Sequence, residues 1–146
     1  MWMGLEINLM AFSFLISKSK DKKSSQALMI YFLAQSIGSV AFLFSILINL
    51  LLFTLPNLVN EIIMNSIMIS LLIKMGAAPF HLWFPEIMAN LNWTECMILM
   101  TWQKLAPLTI MSNLISANWF PYLMILFSAL IGGIGGLNQT SLRKIL

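Results

Sequence analysis

Residues 27–54 read ALMIYFLAQSIGSVAFLFSILINLLLFT and contain no charged side chain. They lie inside a gap of 37 uncharged residues between Lys23 and Glu61, and a second gap of 38 residues separates Lys104 from Arg143. A transmembrane helix needs about 20 predominantly apolar residues. Each gap is therefore long enough to cross a membrane once.

The composition of the whole chain leads to the same class of protein. Of its 146 residues, 60% are hydrophobic and 9% are charged, whereas a soluble domain is roughly 45–50% apolar and about 25% charged. So few charges could not cover a water-exposed surface, and disorder requires low hydrophobicity.

The basic residues form two small clusters rather than a stripe, so we predict no nucleic-acid binding. A single cysteine, Cys96, and the lack of a Cys/His cluster predict no metal site and no redox centre in this chain.

The apolar pattern predicts an all-α fold, a polytopic bundle of transmembrane helices. Backbone polar groups in hydrocarbon need internal partners, so long apolar runs without strand-like alternation are expected to be helices. We treat residues 1–146 as a single membrane domain and expect it to be a piece of a longer membrane protein. The predicted transmembrane segments are about 1–16, 27–54, 62–79, 94–115 and 120–137, with the start of a further helix at 141–146.

The orientation of the bundle follows from the basic residues in its loops. Loop 17–25 contains four lysines, and loop 138–144, four helices later, contains Arg143 and Lys144. The loops after the second, third and fourth segments contain no Lys or Arg. Five crossings place all six loop cations on one face, which the positive-inside rule predicts to be the inner face.

Three ionisable residues lie inside apolar segments: Glu6, Lys74 and Lys104. At a helical rise of about 1.5 Å per residue, Glu6 and Lys104 lie roughly 16 and 15 Å from the inner face. Lys74 lies at least about 18 Å from the opposite face. Since the hydrocarbon core is about 30 Å thick, all three are expected near the middle of the membrane.

Such residues are costly to insert and usually serve a pathway for protons or ions. Burial disfavours the charged form of a lysine and a nearby carboxylate favours it, so Glu6 and a lysine at equal depth could load and release a proton. The alternative is a structural ion pair that fixes helix packing, with the second lysine extending towards the membrane surface. Gln35, Gln103, Thr101 and Asn8 could hold waters or form hydrogen bonds between helices.

A predicted break in the third segment follows directly after Lys74. Gly76 and Pro79 interrupt the helical hydrogen bonds there and leave carbonyl groups free, as in the discontinuous helices of transporters. An ordinary proline kink is the alternative. His81 is a candidate proton relay, because it lies seven residues after Lys74 and its unperturbed pKa is near 6.5. A histidine near a helix end can equally be a simple hydrogen-bonding residue.

Four blocks of sequence resemble the chain 2 family of NADH:ubiquinone oxidoreductase, the mitochondrially encoded, antiporter-like subunits of respiratory complex I. The resemblance is to invertebrate members, covers nearly the whole chain and has the blocks in the right order. The blocks are residues 2–12, 74–86, 101–107 and 135–144.

The resemblance implies inverted five-helix repeats in the mitochondrial inner membrane, with loops 17–25 and 138–144 on the matrix side. It also implies that Glu6 and Lys74 form the control pair of a proton half-channel and that Lys104 is its central relay. The half-channel would couple electron transfer from NADH to ubiquinone to proton translocation. NADH, FMN, iron–sulfur clusters and ubiquinone are expected in partner subunits, and other membrane subunits, including antiporter-like ones, are the expected partners.

The chain is also shorter than the family pattern. The helix before Glu6 and the second repeat, with the lysine that completes the path, have no counterpart in these 146 residues. A fragment of this kind is not expected to pump protons alone. Two other functions stay open at this stage: a stand-alone cation/proton antiporter subunit, and a scaffold that packs against its neighbours without transporting anything.

Overall fold

All regular elements in the described part of the chain are α-helices. The structure is a computed structural model that describes residues 2–18, 22–51, 58–114 and 119–145. This confirms the predicted all-α class. The helices are α1 Trp2–Ser17, α2 Lys22–Leu51, α3 Leu58–Met75, α4 Trp83–Asn90, α5 Trp93–Leu114, α6 Phe120–Leu137 and α7 Leu142–Ile145.

The third predicted segment, 62–79, differs most from the observed helices. α3 ends at Met75, and the eight-residue helix α4, which the sequence did not predict, begins at Trp83. The break near Lys74 is therefore a true interruption followed by a second helix, not a kink in a continuous one. Residues 1, 19–21, 52–54, 115 and 146 of the predicted segments and loops lie outside the described residues.

The outer surface of the helices is strongly apolar. Phe14, Leu51 and Leu137 expose 74%, 79% and 88% of their surface. By length and composition, α2 and α6 can each cross a membrane, and α1 is a shorter apolar helix. Such a surface requires lipid or protein neighbours rather than water. The topology of five crossings stays a prediction.

Local sequence explains where α5 begins. The backbone N–H of Asn92 donates a hydrogen bond to Glu95 Oε2 at 3.1 Å, which is half of a capping box around the first turn. Pro107 lies inside α5, where a distortion is expected, but the helix continues to Leu114. The α-helix that carries Lys104 is thus uninterrupted, unlike the one that carries Lys74.

Two apolar clusters form the core, and polar residues separate them along the helices. On α1, Leu9 belongs to the first cluster and Leu5 to the second; on α5, the corresponding residues are Leu99 and Ile110. Between the members of the first and second clusters in sequence lie buried or half-buried polar side chains, which we call the polar layer. The polar layer comprises Glu6, Asn8, Gln35, Lys74, Gln103 and Lys104.

Candidate functional site

The break after Lys74 is closed by a Schellman motif. Gly76 has φ +66°, a conformation that glycine adopts at little cost. The N–H of Gly76 donates to the carbonyl of Ile73 at 3.2 Å, and the N–H of Ala77 donates to that of Leu72 at 3.1 Å. Two of the carbonyls at the end of α3 are thereby satisfied within the chain segment itself.

The carbonyl of Lys74 is satisfied from another helix. Gln35 Nε2, on α2, donates a buried hydrogen bond to Lys74 O at 3.0 Å. The expectation that Gln35 bonds between helices is met at this position. Since a buried, unpaired carbonyl is costly, α2 fixes the point at which α3 ends.

The side chain of Lys74 lies in a slot that α2 provides. Lys74 is only 6% exposed. A Cβ atom on Gly38 would lie 2.7 Å from Lys74 Cγ and 3.5 Å from Lys74 Cε. The first distance is well below the separation at which carbon atoms pack. The lack of a side chain at Gly38 is therefore what allows the lysine stem to pass α2.

Glu6, the carboxylate of the polar layer, is half-buried on α1. Its Oε1 atom is buried and accepts no hydrogen bond from the described residues. No ion pair of 4.0 Å or less joins Glu6 to Lys74 in the described part of the chain. An approach of Glu6 and Lys74 to salt-bridge or single-water distance in another state of the subunit stays a prediction.

Lys104 is half-buried and lies against an aromatic ring. Its Nζ is 4.5 Å from the centroid of the Phe84 ring. The neighbouring Gln103 accepts a hydrogen bond from the Tyr31 hydroxyl at 3.2 Å and donates one to Asn8 O at 3.5 Å. α5 is thus connected to both α1 and α2 through the polar layer.

His81 lies in the segment between α3 and α4, so the helical spacing from Lys74 does not apply to it. Its Nδ1 atom is buried, and no described residue forms a hydrogen bond with it. His81 lines two neighbouring cavities with Gln139 and Lys144. Pro79, the second predicted break residue, is exposed in the same segment.

Glu6, Lys74 and Lys104 are members of the polar layer, whereas His81 lies in the segment between α3 and α4. Sequence reasoning missed Gly38 and Phe84. A glycine inside a membrane helix lets a neighbouring helix approach closely, so Gly38 could have been found. Phe84 carries no comparable signal. Within the described ranges, no group of three or more His, Cys, Asp or Glu residues could hold a metal ion.

Comparison with known proteins agrees with this geometry. The family model described as NADH:quinone oxidoreductase/Mrp antiporter, TM, matches residues 1–146. The chain is 47% identical over 150 residues to NADH-ubiquinone oxidoreductase chain 2 of Anopheles gambiae and 43% identical over 149 residues to that of Locusta migratoria. It is 40% identical to the Loxodonta africana protein of the same name.

These matches cover 99% of this chain but only 42–43% of the relatives' own length. The family match extends over the whole chain and agrees with the helical, apolar architecture. The chain is a membrane protein and belongs to the NADH:quinone oxidoreductase/Mrp antiporter transmembrane family.

Proposed function

We propose that this chain contributes a proton half-channel to a proton-pumping NADH:ubiquinone oxidoreductase. In this role it couples electron transfer from NADH to ubiquinone, which occurs in other subunits, to proton translocation across the membrane. The relatives named NADH-ubiquinone oxidoreductase chain 2 support this assignment. NADH, FMN, iron–sulfur clusters and ubiquinone belong to the partner subunits in this proposal.

The observation that carries the proposal is the polar layer between two apolar clusters. A carboxylate and two lysines, each buried or half-buried, belong to this layer. Ionisable groups at such a depth are expensive unless they serve a pathway. Glu6 and His81 also have buried polar atoms that no described residue satisfies, and water commonly satisfies such atoms.

The three charged residues have different roles in this proposal. Lys74, beside the break in α3, takes up and releases a proton, and Glu6 adjusts the stability of its charged form. Lys104 is the next proton carrier, on the continuous helix α5. His81 connects the cavities near Gln139 and Lys144 to the break segment.

The proposed location is the mitochondrial inner membrane, with five crossings and with residues 17–25 and 138–144 on the matrix side. The apolar outer surface is suited to lipid and to other membrane subunits, including antiporter-like ones. The distribution of loop cations supports this orientation.

A stand-alone cation/proton antiporter is a second candidate, because the family description includes Mrp antiporters. It would transport without redox partners, which separates it from the first candidate. A scaffold without transport is the remaining alternative, and it predicts that the charge of Lys74 is dispensable.

The experiment replaces Lys74 by Met and by Arg in the complete subunit within its assembled complex. We expect both variants to lose most proton-coupled quinone reduction, since Met has no proton to transfer and Arg does not release one at accessible pH. Lys18→Met, at an exposed position, is the matched control and should retain wild-type turnover. Full pumping by the Arg variant would refute a proton-carrying role for Lys74.

The Glu6→Gln variant distinguishes a role of Glu6 in the proton path from a role in helix packing. Glutamine keeps the volume of the side chain. If Glu6 acts in the proton path, turnover should therefore fall while the abundance of the subunit is retained. In a purely structural pair, an unpaired buried charge costs about 3–5 kcal/mol and the subunit becomes scarce. Lost abundance with normal turnover per assembled complex would reject the proposed role of Glu6.

A further inference from the structure

A cavity of about 230 Å³ leads to the break segment from the end of α6. It has room for several water molecules. Its outer part carries the polar side chains of Gln139 and Lys144, His81 lies on its wall, and Gly76 and Phe84 also line it. The cavity therefore reaches from a polar surface to the residues that directly follow Lys74.

Phe84 lies next to both this cavity and Lys104. Its ring centroid is 4.5 Å from Lys104 Nζ, while the same residue forms part of the cavity wall. No other described aromatic ring is in cation–π contact with Lys104. One side chain thus contacts both the proposed proton carrier and the space from which a proton could reach it.

The position of Phe84 is fixed by its neighbours on the break segment. A Cβ atom on Gly76 would lie 3.3 Å from Phe84 Cβ and 3.4 Å from its Cδ2, so Phe84 packs as closely as glycine permits. The Trp83 ring meets the Phe84 ring edge to face, with centroids 5.6 Å apart and an interplanar angle of 76°. The break after Lys74 therefore determines where the ring lies.

The chemistry of the contact depends on the proton. The face of an aromatic ring attracts an ammonium group through its quadrupole and does not attract a neutral amine in this way. The Phe84 ring therefore attracts the Lys104 side chain more strongly when Lys104 carries a proton.

We infer that Phe84 is a positioning residue that holds protonated Lys104 against its ring and separates Lys104 from the cavity lined by His81, Gln139 and Lys144. The inference rests on the proposed function, because it assigns Phe84 a task in the same proton path. Phe84 itself exchanges no proton. Its ring sets where the Lys104 ammonium lies and when cavity water can reach it.

The test compares Phe84→Met with Phe84→Tyr in the complete subunit within its assembled complex, reconstituted into vesicles. Methionine conserves the volume approximately but removes the ring, whereas tyrosine keeps the ring and adds a hydroxyl. We expect Phe84→Met to lower proton-coupled turnover by about 2- to 30-fold, the rate equivalent of one cation–π contact. Phe84→Tyr should stay within about twofold of wild type, since the ring face is retained.

A packing role predicts the opposite order, because volume-conserving apolar exchanges are tolerated and a buried hydroxyl is not. Normal turnover in Phe84→Met with reduced turnover in Phe84→Tyr would therefore overturn the inference. Phe80→Met is the matched control, since Phe80 is 41% exposed in the same segment and lines a different groove. It should leave turnover unchanged.

A second measurement is the passive proton leak of the vesicles without NADH. Loss of the ring should raise this leak at least about twofold, because the side chain that separates Lys104 from the cavity becomes flexible. Phe84→Leu is a second ringless variant and replaces Phe84→Met should the latter not assemble. Unchanged leak and unchanged turnover in the ringless variant contradict the inference.

Lys104→Met distinguishes this inference from the function on which it rests. If Lys104→Met abolishes pumping while the ringless Phe84 variant pumps normally, only the role of Phe84 is wrong. If Lys104→Met pumps normally, Lys104 is not in the proton path and both statements are refuted.

Discussion

Replacement of Gly38 by alanine tests how tightly α2 controls Lys74. The new Cβ would lie 2.7 Å from Lys74 Cγ, whereas carbon atoms pack best at about 3.5–4.0 Å, so one of them must move by ~1 Å. Cγ is close to the backbone, and it can move only if the first side-chain torsion of Lys74 changes or α2 and α3 separate. Either change displaces the ammonium group.

The energetic consequences of this substitution partly offset each other. Alanine is about 1 kcal/mol better than glycine inside a helix, and overpacking costs about 1–3 kcal/mol. We therefore expect a net loss of no more than ~2 kcal/mol, which leaves most of the subunit assembled. Turnover is more sensitive, since a misplacement of ~1 Å at a reacting group can lower a rate about a hundredfold.

The assay is NADH-driven quinone reduction with proton pumping, normalised to the abundance of the complete subunit in its complex. Gly38→Ala should lower turnover by about ten- to a hundredfold. Gly4→Ala is the control in the same chain, two residues before Glu6, where an added Cβ meets no described atom within 4 Å. Wild-type turnover in an assembled Gly38→Ala complex would show that the position of the Lys74 stem is unimportant.

Three further predictions follow from the break and from the topology. Gln35→Leu leaves the carbonyl of Lys74 without its donor and should destabilise the subunit by about 1–3 kcal/mol, measured as lost abundance or an earlier thermal transition. Gly76→Ala, at φ +66°, should cost about 1–2 kcal/mol on the same measures; an equally abundant variant would contradict the strained backbone. Cysteines introduced at the exposed positions Ser17 and Ser141 should react with an impermeant thiol reagent from the same side of the membrane. Labelling from opposite sides would refute five crossings.

The all-α fold class could be predicted from the sequence, and the sequence also gives the membrane depth at which Glu6, Lys74 and Lys104 are expected. Charge spacing and the fixed rise of a helix are sufficient to estimate depth. Depth does not say which way a side chain points around the helix axis. The sequence of this chain gives no other indication of that direction. In a soluble helix a polar face reveals the orientation, but α1, α2 and α6 are apolar around nearly their whole circumference.

The contacts of Gly38 and Phe84 depend on how α2 and α4 are rotated about their own axes, which the sequence does not reveal. Gly38 matters because it faces Lys74, and Phe84 matters because α4 turns its ring towards α5. Helix α4 itself was hidden because its eight residues follow the break without a separate apolar run. Gln35 was recognisable as a residue that bonds between helices, but its partner, a main-chain carbonyl, has no signature in sequence.

Gln35 and Gly38 lie three residues apart on one face of α2, and both contact Lys74. A slide of α2 along α3 by a single residue, about 1.5 Å, would break the hydrogen bond to the carbonyl and move the glycine away from the lysine stem. The two contacts therefore fix the register of α2 along α3. The turn that begins at Gly76 is the point where the chain leaves this shared register.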